Sequence, residues 1–473
     1  MGHDNPEPFP SSALDALAEA GHRTVFEHGD RTVTGTEMLD LTARIANGLR
    51  GMTIGPGVGI ALMLGVNAEA LATILAAHVV GARVLGIRPG LPDDQVQHLL
   101  SLDNAAVITD AQVEGLTTNP AGSLRPQGKP DDVARLIHTS GSTGMPKAVA
   151  QTYAAMTAEW AADPARWPAV IRELAPRLGR HLVFGTLASQ VMFQYALLAI
   201  GAGGTVVVAD PPTMPEAITR LRATSLVSTV PRLAALVAAK RAGADLSTLQ
   251  GIVVAGSPLS EARHREALDV LGPIVFHGYG QTEAGLIAMT FPTDPPGDVG
   301  RAPDDVTVEI RDPDGAAVPD GTEGELFVRT PGQSREYWGD PVRSAEVFTG
   351  GWVRTRDLGH RDAEGRLHLT GRARDVVIVN AVVHYAGPIE RAITGHPDVA
   401  EAYVVGVPDD ETGEAVHAFI VPLGDAVPDL AEVRALVIDQ LGAGCAPKRM
   451  TVIDKPPIAP SGKPDKRLLS SDN

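Results

Sequence analysis

His138-Thr139-Ser140-Gly141-Ser142-Thr143-Gly144-Met145-Pro146-Lys147 is the stretch on which the reading of this chain turns. Hydroxyls and glycines alternate, and a cation closes the run. Glycine brings backbone close to a ligand without a Cβ in the way. Backbone N–H groups and the hydroxyls of Thr139, Ser140, Ser142 and Thr143 can wrap an anion, with Gly141 and Gly144 giving the curvature. Lys147 then adds a point charge. The pattern suits a polyphosphate cradle, although a plain Ser/Gly loop has the same composition. It is not the common P-loop, which needs Gly-Lys-Ser/Thr, because Pro146 precedes the lysine and Ala148 follows it.

On either side the chain alternates between strand and helix patterns. Helical spacing is expected over 12–20, 35–48, 69–80 and 92–102, with strands at 58–64, 82–87 and 107–109. Residues 117–130 read as a connector. Beyond the cradle, strands are expected at 182–185, 205–208, 225–230, 251–255 and 274–277, and helices at 191–200, 215–223 and 232–241. This rhythm predicts an α/β fold with parallel sheets covered by helices. Ligands of such sheets collect at the carboxyl ends of the strands. The expected turns Gly256-Ser257-Pro258 and Gly278-Tyr279-Gly280 would sit there. After the Pro-rich segment 291–297 the texture becomes short strands and turns, a small β-rich subdomain over about 300–370. From Arg374 onward the pattern is α+β, with strands at 376–379, 399–407 and 417–421 and helices at 388–395 and 430–441.

Composition limits the alternatives. A chain of 473 residues exceeds one compact core, and its 44% hydrophobic and 21% charged content is that of an ordinary globular protein. A formal net charge of −17 argues against a nucleic-acid or anionic-membrane surface. The apolar run 71–87 is broken by His78, Gly81 and Arg83, so no membrane span is expected. Cys445 is the single cysteine, which excludes an intrachain disulfide. The N-terminus lacks a signal-peptide pattern, and a cytoplasmic location is expected.

Four further pieces carry chemistry. In Gly278-Tyr279-Gly280-Gln281-Thr282-Glu283, a ring between glycines could face a base or be buried in a turn. Glu283 is the natural Mg²⁺ carboxylate, since Mg²⁺ takes few protein oxygens beside phosphate. Asp357, after a strand, could accept ribose hydroxyls or simply cap a turn. Arg372 could reach ribose or phosphate, or be a surface residue. Lys463 lies on the stiff loop Pro460-Ser461-Gly462-Lys463, where a lysine is ordinarily solvent-exposed.

Taken in order along the chain, these five motifs closely resemble the acyl-adenylate-forming superfamily of acyl- and aryl-CoA synthetases, peptide-synthetase adenylation domains and luciferases. The resemblance implies an N-terminal adenylation domain (1–372) and a mobile C-terminal domain (373–473) hinged at Arg374–Asp375. It implies ATP, Mg²⁺ and CoA, a small carboxylic acid as substrate, and a monomer or homodimer. Thr139–Lys147 would hold the outer phosphates, Glu283 with Thr282 the metal and phosphate, and Tyr279 with Gly278, Gly280 and Gln281 the adenine. Gly256 and Ser257 would lie behind the base or line the acyl pocket. Asp357 and Arg372 would fix the ribose, and Lys463 would bridge carboxylate and phosphate. Phe184, Ser189, Gln190, Phe193 and His277 are expected at the acid.

The chain departs from the pattern at several places. Ala148 and Arg356 occupy usual Gly positions, Tyr153 a usual His, and Ala381, Ala386 and Pro388 usual Gly, Pro and Glu. Those last three lie where the thiol would enter. The acceptor therefore stays open between CoA and a carrier protein, an amine or an acid such as nitrite. Amino-acid-activating members of the superfamily carry an Asp near this pocket motif. No acidic residue occurs over 186–193, so the resemblance disfavours an α-amino acid, and the compact chain, similar to aryl-acid and short-acyl CoA ligases, implies an aryl or α,β-unsaturated acid. A catalytically silent nucleotide-binding protein is the alternative from another class.

Overall fold

The computed structural model describes residues 8–102, 104–139, 145–159, 164–209, 213–380, 382–458 and 464–469. Ser140 to Gly144, Ala381 and Lys463 lie outside the described residues.

Two large sheets carry the first part of the chain. The first has eight strands, in spatial order Gly285–Met289, Val275–Gln281, Gly251–Ala255, Ser225–Ser228, Arg180–Val183, Thr205–Val208, Thr24–His28 and Arg31–Thr34. Its interior pairs are parallel and its two outermost pairs antiparallel. The second has six strands, in the order Glu336–Tyr337, Lys147–Thr152, Val133–Thr139, Arg83–Gly86, Gly59–Met63 and Ala106–Thr109. The expected α/β architecture is present, and the helices Ala68–Val79 and Gln190–Gly201 explain how the sheets meet. Apart from Glu69, every residue of Ala68–Val79 is buried. A helix apolar all round belongs in an interior. Asn67 caps it by accepting from the Ala70 N–H at 2.7 Å. Both helices share one core with side chains from the two sheets. Among the described residues no helix is long and apolar enough to cross a membrane.

A third sheet follows, of Thr307–Arg311, Gly324–Arg329, Trp352–Arg361 and Phe348–Thr349, with Leu367–Arg372 pairing farther along Trp352–Arg361 on the same side as Phe348–Thr349. The fourth is formed wholly after Asp375, from Val376–Val379, Val382–Tyr385, Val399–Asp409, Gly413–Pro422 and Arg449–Val452. The helix Ala386–Thr394 presses on the strand Leu367–Arg372 so closely that a Cβ at Gly387 would collide with the Thr370 carbonyl and Gly371 Cα. Arg263 and Glu401, 3.4 Å apart, tie the first sheet's helix layer to the last part of the chain.

Several expectations are corrected. No strand was expected on either side of the cradle, yet Thr139 pairs with Lys147 in an antiparallel hairpin of Val133–Thr139 and Lys147–Thr152. The connector expected over 117–130 is free of helix and strand beyond Thr117; what was missed is the helix that leads into it, Asp110–Thr117. Gly278-Tyr279-Gly280 is strand rather than turn. That strand runs on to Gln281 because it hairpins against Gly285–Met289, and a Cβ at Gly280 would collide with the Gly285 carbonyl. Asp357 likewise lies within the strand Trp352–Arg361, not after one.

Candidate functional site

The carboxyl ends of the first sheet's parallel strands open toward one region. Gly256, at φ +93°, turns the chain sharply after Gly251–Ala255 and leads into Ser257. The neighbouring strand carries Tyr279 and Gln281 into contact with the third sheet. Tyr279 donates its hydroxyl to Asp357 Oδ2 at 2.8 Å, and Gln281 Nε2 donates to the same oxygen at 2.6 Å. Gln281 also reaches the Thr355 carbonyl at 2.9 Å. Arg372 Nε sits 2.9 Å from Asp357 Oδ1. Asp357 is only 5% exposed, so a buried carboxylate is met by three donors from two strands, Val275–Gln281 and Leu367–Arg372. Burial, with the Asp357 carboxylate beside it, raises the Tyr279 phenol well above its usual range. It stays neutral and donating.

A second group lies beside the cradle. Tyr337 donates its hydroxyl to Glu283 Oε1 at 2.7 Å. The Glu283 carbonyl is fixed by the Ser334 N–H at 2.8 Å, and the Thr282 carbonyl accepts from Ser334 Oγ at 3.1 Å. Lys147 Nζ stands 4.9 Å from the centre of the Tyr337 ring. Burial, then the guanidiniums of Arg343 and Arg356, pulls the Lys147 pKa down. A cation weakened by like charges is one that an incoming anion would stabilise. One Glu283 oxygen is used by Tyr337, and the other has no hydrogen-bond partner among the described residues. A carboxylate with one oxygen unbonded among the described residues, beside the expected phosphate cradle, fits Mg²⁺, which keeps most of its waters.

The residues expected at the acid divide. Ser189, Gln190 and Phe193 line one cavity with His78, Arg135 and Leu187, enclosing about 40 Å³. Phe184 and His277 are not among its walls. The Phe184 ring lies under the Arg232 guanidinium at 4.1 Å, and His277 Nδ1 is 3.1 Å from the Asp298 carbonyl. Gln190 is 8% exposed, and its Nε2 has no partner among the described residues. It opens the helix Gln190–Gly201, whose N-cap Ser189 makes no side-chain capping bond. The free N–H groups of that first turn add to the donor character of the cavity wall.

At the expected hinge, the Asp375 carbonyl accepts from the Ala386 N–H at 2.8 Å, and Lys466 Nζ contacts both the Asp375 carboxylate and Glu390 Oε1. Arg374 Nη2 is 3.0 Å from Glu346 Oε2. Tyr153 is fully buried and donates to the Ala82 carbonyl at 2.8 Å, so its position serves packing. Arg356, at a position where the resemblance leads one to expect Gly, has φ +62°. Tyr337, Ser334 and Glu346 were not singled out from sequence. Tyr337 is 54 residues from Glu283, and no local pattern encodes a pairing at that separation. The nearest cue was Asp340-Pro341, a helix start, where Asp340 accepts from the Arg343 N–H at 3.1 Å.

Comparison with known proteins agrees with this arrangement. The AMP-binding enzyme family model matches residues 14–124 and 102–338, and the model of its C-terminal domain matches 388–463. The chain is 31% identical over 476 residues to a feruloyl-CoA synthase of Amycolatopsis sp, covering 93% of this chain and 94% of that one. It is 30% identical to the fatty acid–[acyl-carrier-protein] ligase ScoC of Streptomyces coeruleorubidus, over 93% and 91% of the two chains. Its fold superposes on the amide bond synthetase McbA of Marinactinospora thermotolerans with a TM-score of 0.83 at 31% identity, covering 97% and 99%. The chain belongs to the AMP-binding enzyme family, within the acyl-adenylate-forming superfamily, as an AMP-forming ligase of the acyl/aryl-CoA synthetase type.

Proposed function

We propose that this protein activates an aryl or α,β-unsaturated carboxylic acid as its acyl-adenylate and transfers the acyl group to the thiol of CoA. The observation that carries the reading is the pairing of two groups. One is Asp357 with its donors Tyr279, Gln281 and Arg372; the other is Glu283 with Tyr337 beside Lys147.

In the first step a carboxylate oxygen attacks the α-phosphorus of ATP, the bond to the bridging oxygen breaks, and pyrophosphate leaves. Asp357 and Arg372 hold the ribose; Tyr279, Gly278 and Gly280 border the adenine, and Gly256 and Ser257 lie behind it. Lys147 and the cradle residues Thr139 to Gly144 hold the outer phosphates. Glu283, with Thr282, would hold Mg²⁺, which offsets the charge of the leaving pyrophosphate. Lys463 bridges the acid and the α-phosphate. Fixed cations and donors aimed at developing charge lower such a barrier by several kcal/mol, on the order of 3 per donor. In the second step the thiol sulfur bonds to the acyl carbon, AMP departs, and the thiol proton is released. Residues 373–473 reorient about Arg374–Asp375 between the steps.

Delivery to an amine or to a carrier-protein thiol is a second reading. It is favoured by the similarity to an amide bond synthetase and to an acyl-carrier-protein ligase along almost the whole chain. The test supplies ATP, Mg²⁺ and a panel of acids, with CoA or simple amines, and follows pyrophosphate and product mass. Acyl-CoA supports the first reading, and an amide without acyl-CoA supports the second. Absence of acid-dependent pyrophosphate release across the panel rejects both.

A further inference from the structure

Arg356 holds a left-handed backbone conformation, φ +62°, which glycine adopts freely and an L-residue does not. Its side chain is mostly buried, and its Nη2 lies 2.6 Å from Glu346 Oε2. Arg374, at the hinge, approaches that same oxygen at 3.0 Å. One carboxylate oxygen therefore holds two guanidiniums from two parts of the chain. Glu346 lies on the short helix Pro341–Val347, which also carries Arg343, 3.5 Å from Asp340. That helix follows directly on Tyr337, whose ring faces Lys147 and stacks edge-on against Phe348 at 5.5 Å. Four cations, Lys147, Arg343, Arg356 and Arg374, thus face three carboxylates, Asp340, Glu283 and Glu346. The surplus charge is positive, and it borders the cradle.

We infer that Arg356 is a polyphosphate-binding residue held in reserve by Glu346. When the triphosphate of ATP settles beside Lys147, the guanidinium exchanges its carboxylate oxygen for an outer phosphate oxygen, and Glu346 remains with Arg374 at the hinge. Charge-assisted guanidinium–phosphate bonds are strong enough to drive that exchange. The inference rests on the proposed ATP site. It adds a ligand for the outer phosphates, and couples their arrival to the contact that restrains the hinge.

The test is direct binding of ATP, pyrophosphate and AMP, by calorimetry, to the full chain and to Arg356→Gly, Arg356→Lys and Glu346→Gln. Arg356→Gly relieves the backbone, so its thermal midpoint should be unchanged or raised. It should weaken ATP and pyrophosphate about tenfold and leave AMP unaffected, with Arg356→Lys partly restoring both. Glu346→Gln should tighten pyrophosphate severalfold. Unchanged ATP affinity in Arg356→Gly, an equal loss for AMP, or pyrophosphate no tighter in Glu346→Gln would each overturn the inference. Because these readouts need no turnover, a failure of the adenylation reading shows separately, as missing acid-dependent pyrophosphate release in the unmodified protein.

Discussion

Asp357 shows how much one side chain can be asked to do. Its carboxylate accepts from Tyr279 and Gln281 and pairs with Arg372, so the group expected to grip ribose is already satisfied by protein donors. A nucleotide must therefore trade places with one of them, and Arg372, whose side chain is 68% exposed, is the one free to swing. Asp357→Asn should raise the KM for ATP by about tenfold or more, since it removes the charge and leaves Arg372 without its partner. Tyr279→Phe removes a single donor in the interior and should cost about 1 kcal/mol of stability with little change in that KM. Calorimetry together with acid-dependent pyrophosphate release measures both. An equal rise in KM for the two variants would put the phenol in the nucleotide grip rather than behind it. Lys463→Ala should abolish adenylation while ATP binding stays near normal. Undiminished pyrophosphate release in that variant would remove the lysine from its assigned role.

At the scale of elements, the helix Gln190–Gly201 joins packing to specificity. Nine of its twelve residues are buried, which anchors its N-terminus against the cavity. There Gln190 presents a donor with no partner among the described residues, in the wall of a cavity of about 40 Å³. An acid whose far end carries an oxygen acceptor would satisfy the amide; a purely hydrocarbon one would leave it buried and unpaired. Gln190→Leu should lower kcat/KM for oxygen-bearing aryl acids by about tenfold, and leave their unsubstituted counterparts unchanged or improved. A matched acid panel reads this out, and equal effects on both classes would place the acid elsewhere.

Five buried histidines spread through the molecule are held in neutral form. Burial holds His78 down to about 3, and His138, His181, His264 and His277 each to about 4. Unfolded, these imidazoles take up protons below pH about 6.5; folded, they refuse them until pH 4 or lower. The unfolded state thus gains protons first, and stability falls as pH drops from 6.5 toward 4. Each histidine contributes up to about 2 kcal/mol between pH 7 and 5, against a total stability of about 5–15 kcal/mol. Two of them suffice for a steep loss. The melting temperature should fall sharply between pH 6.5 and 5, and a flat profile there would show that these rings are hydrated in the folded protein.

Local sequence pattern was enough to place most elements in their order along the chain. Apolar periodicity located strands such as Thr205–Val208 and Gly251–Ala255 and helices such as Leu430–Leu441, because burial on one face or all faces leaves a local trace. The strands Val133–Thr139 and Lys147–Thr152 were hidden, since the Gly/Ser/Thr composition between them speaks only for a loop. So was the strand character of Gly278-Tyr279-Gly280, where hairpin pairing with Gly285–Met289 overrides glycine's preference for turns. Only the tertiary structure decided that Tyr337 supports Glu283, that Tyr279 hangs on Asp357, and that Glu346 holds Arg356 and Arg374 together. Those pairings join residues up to 78 positions apart. They arise from how sheets and helices stack, a property that no window of local sequence contains.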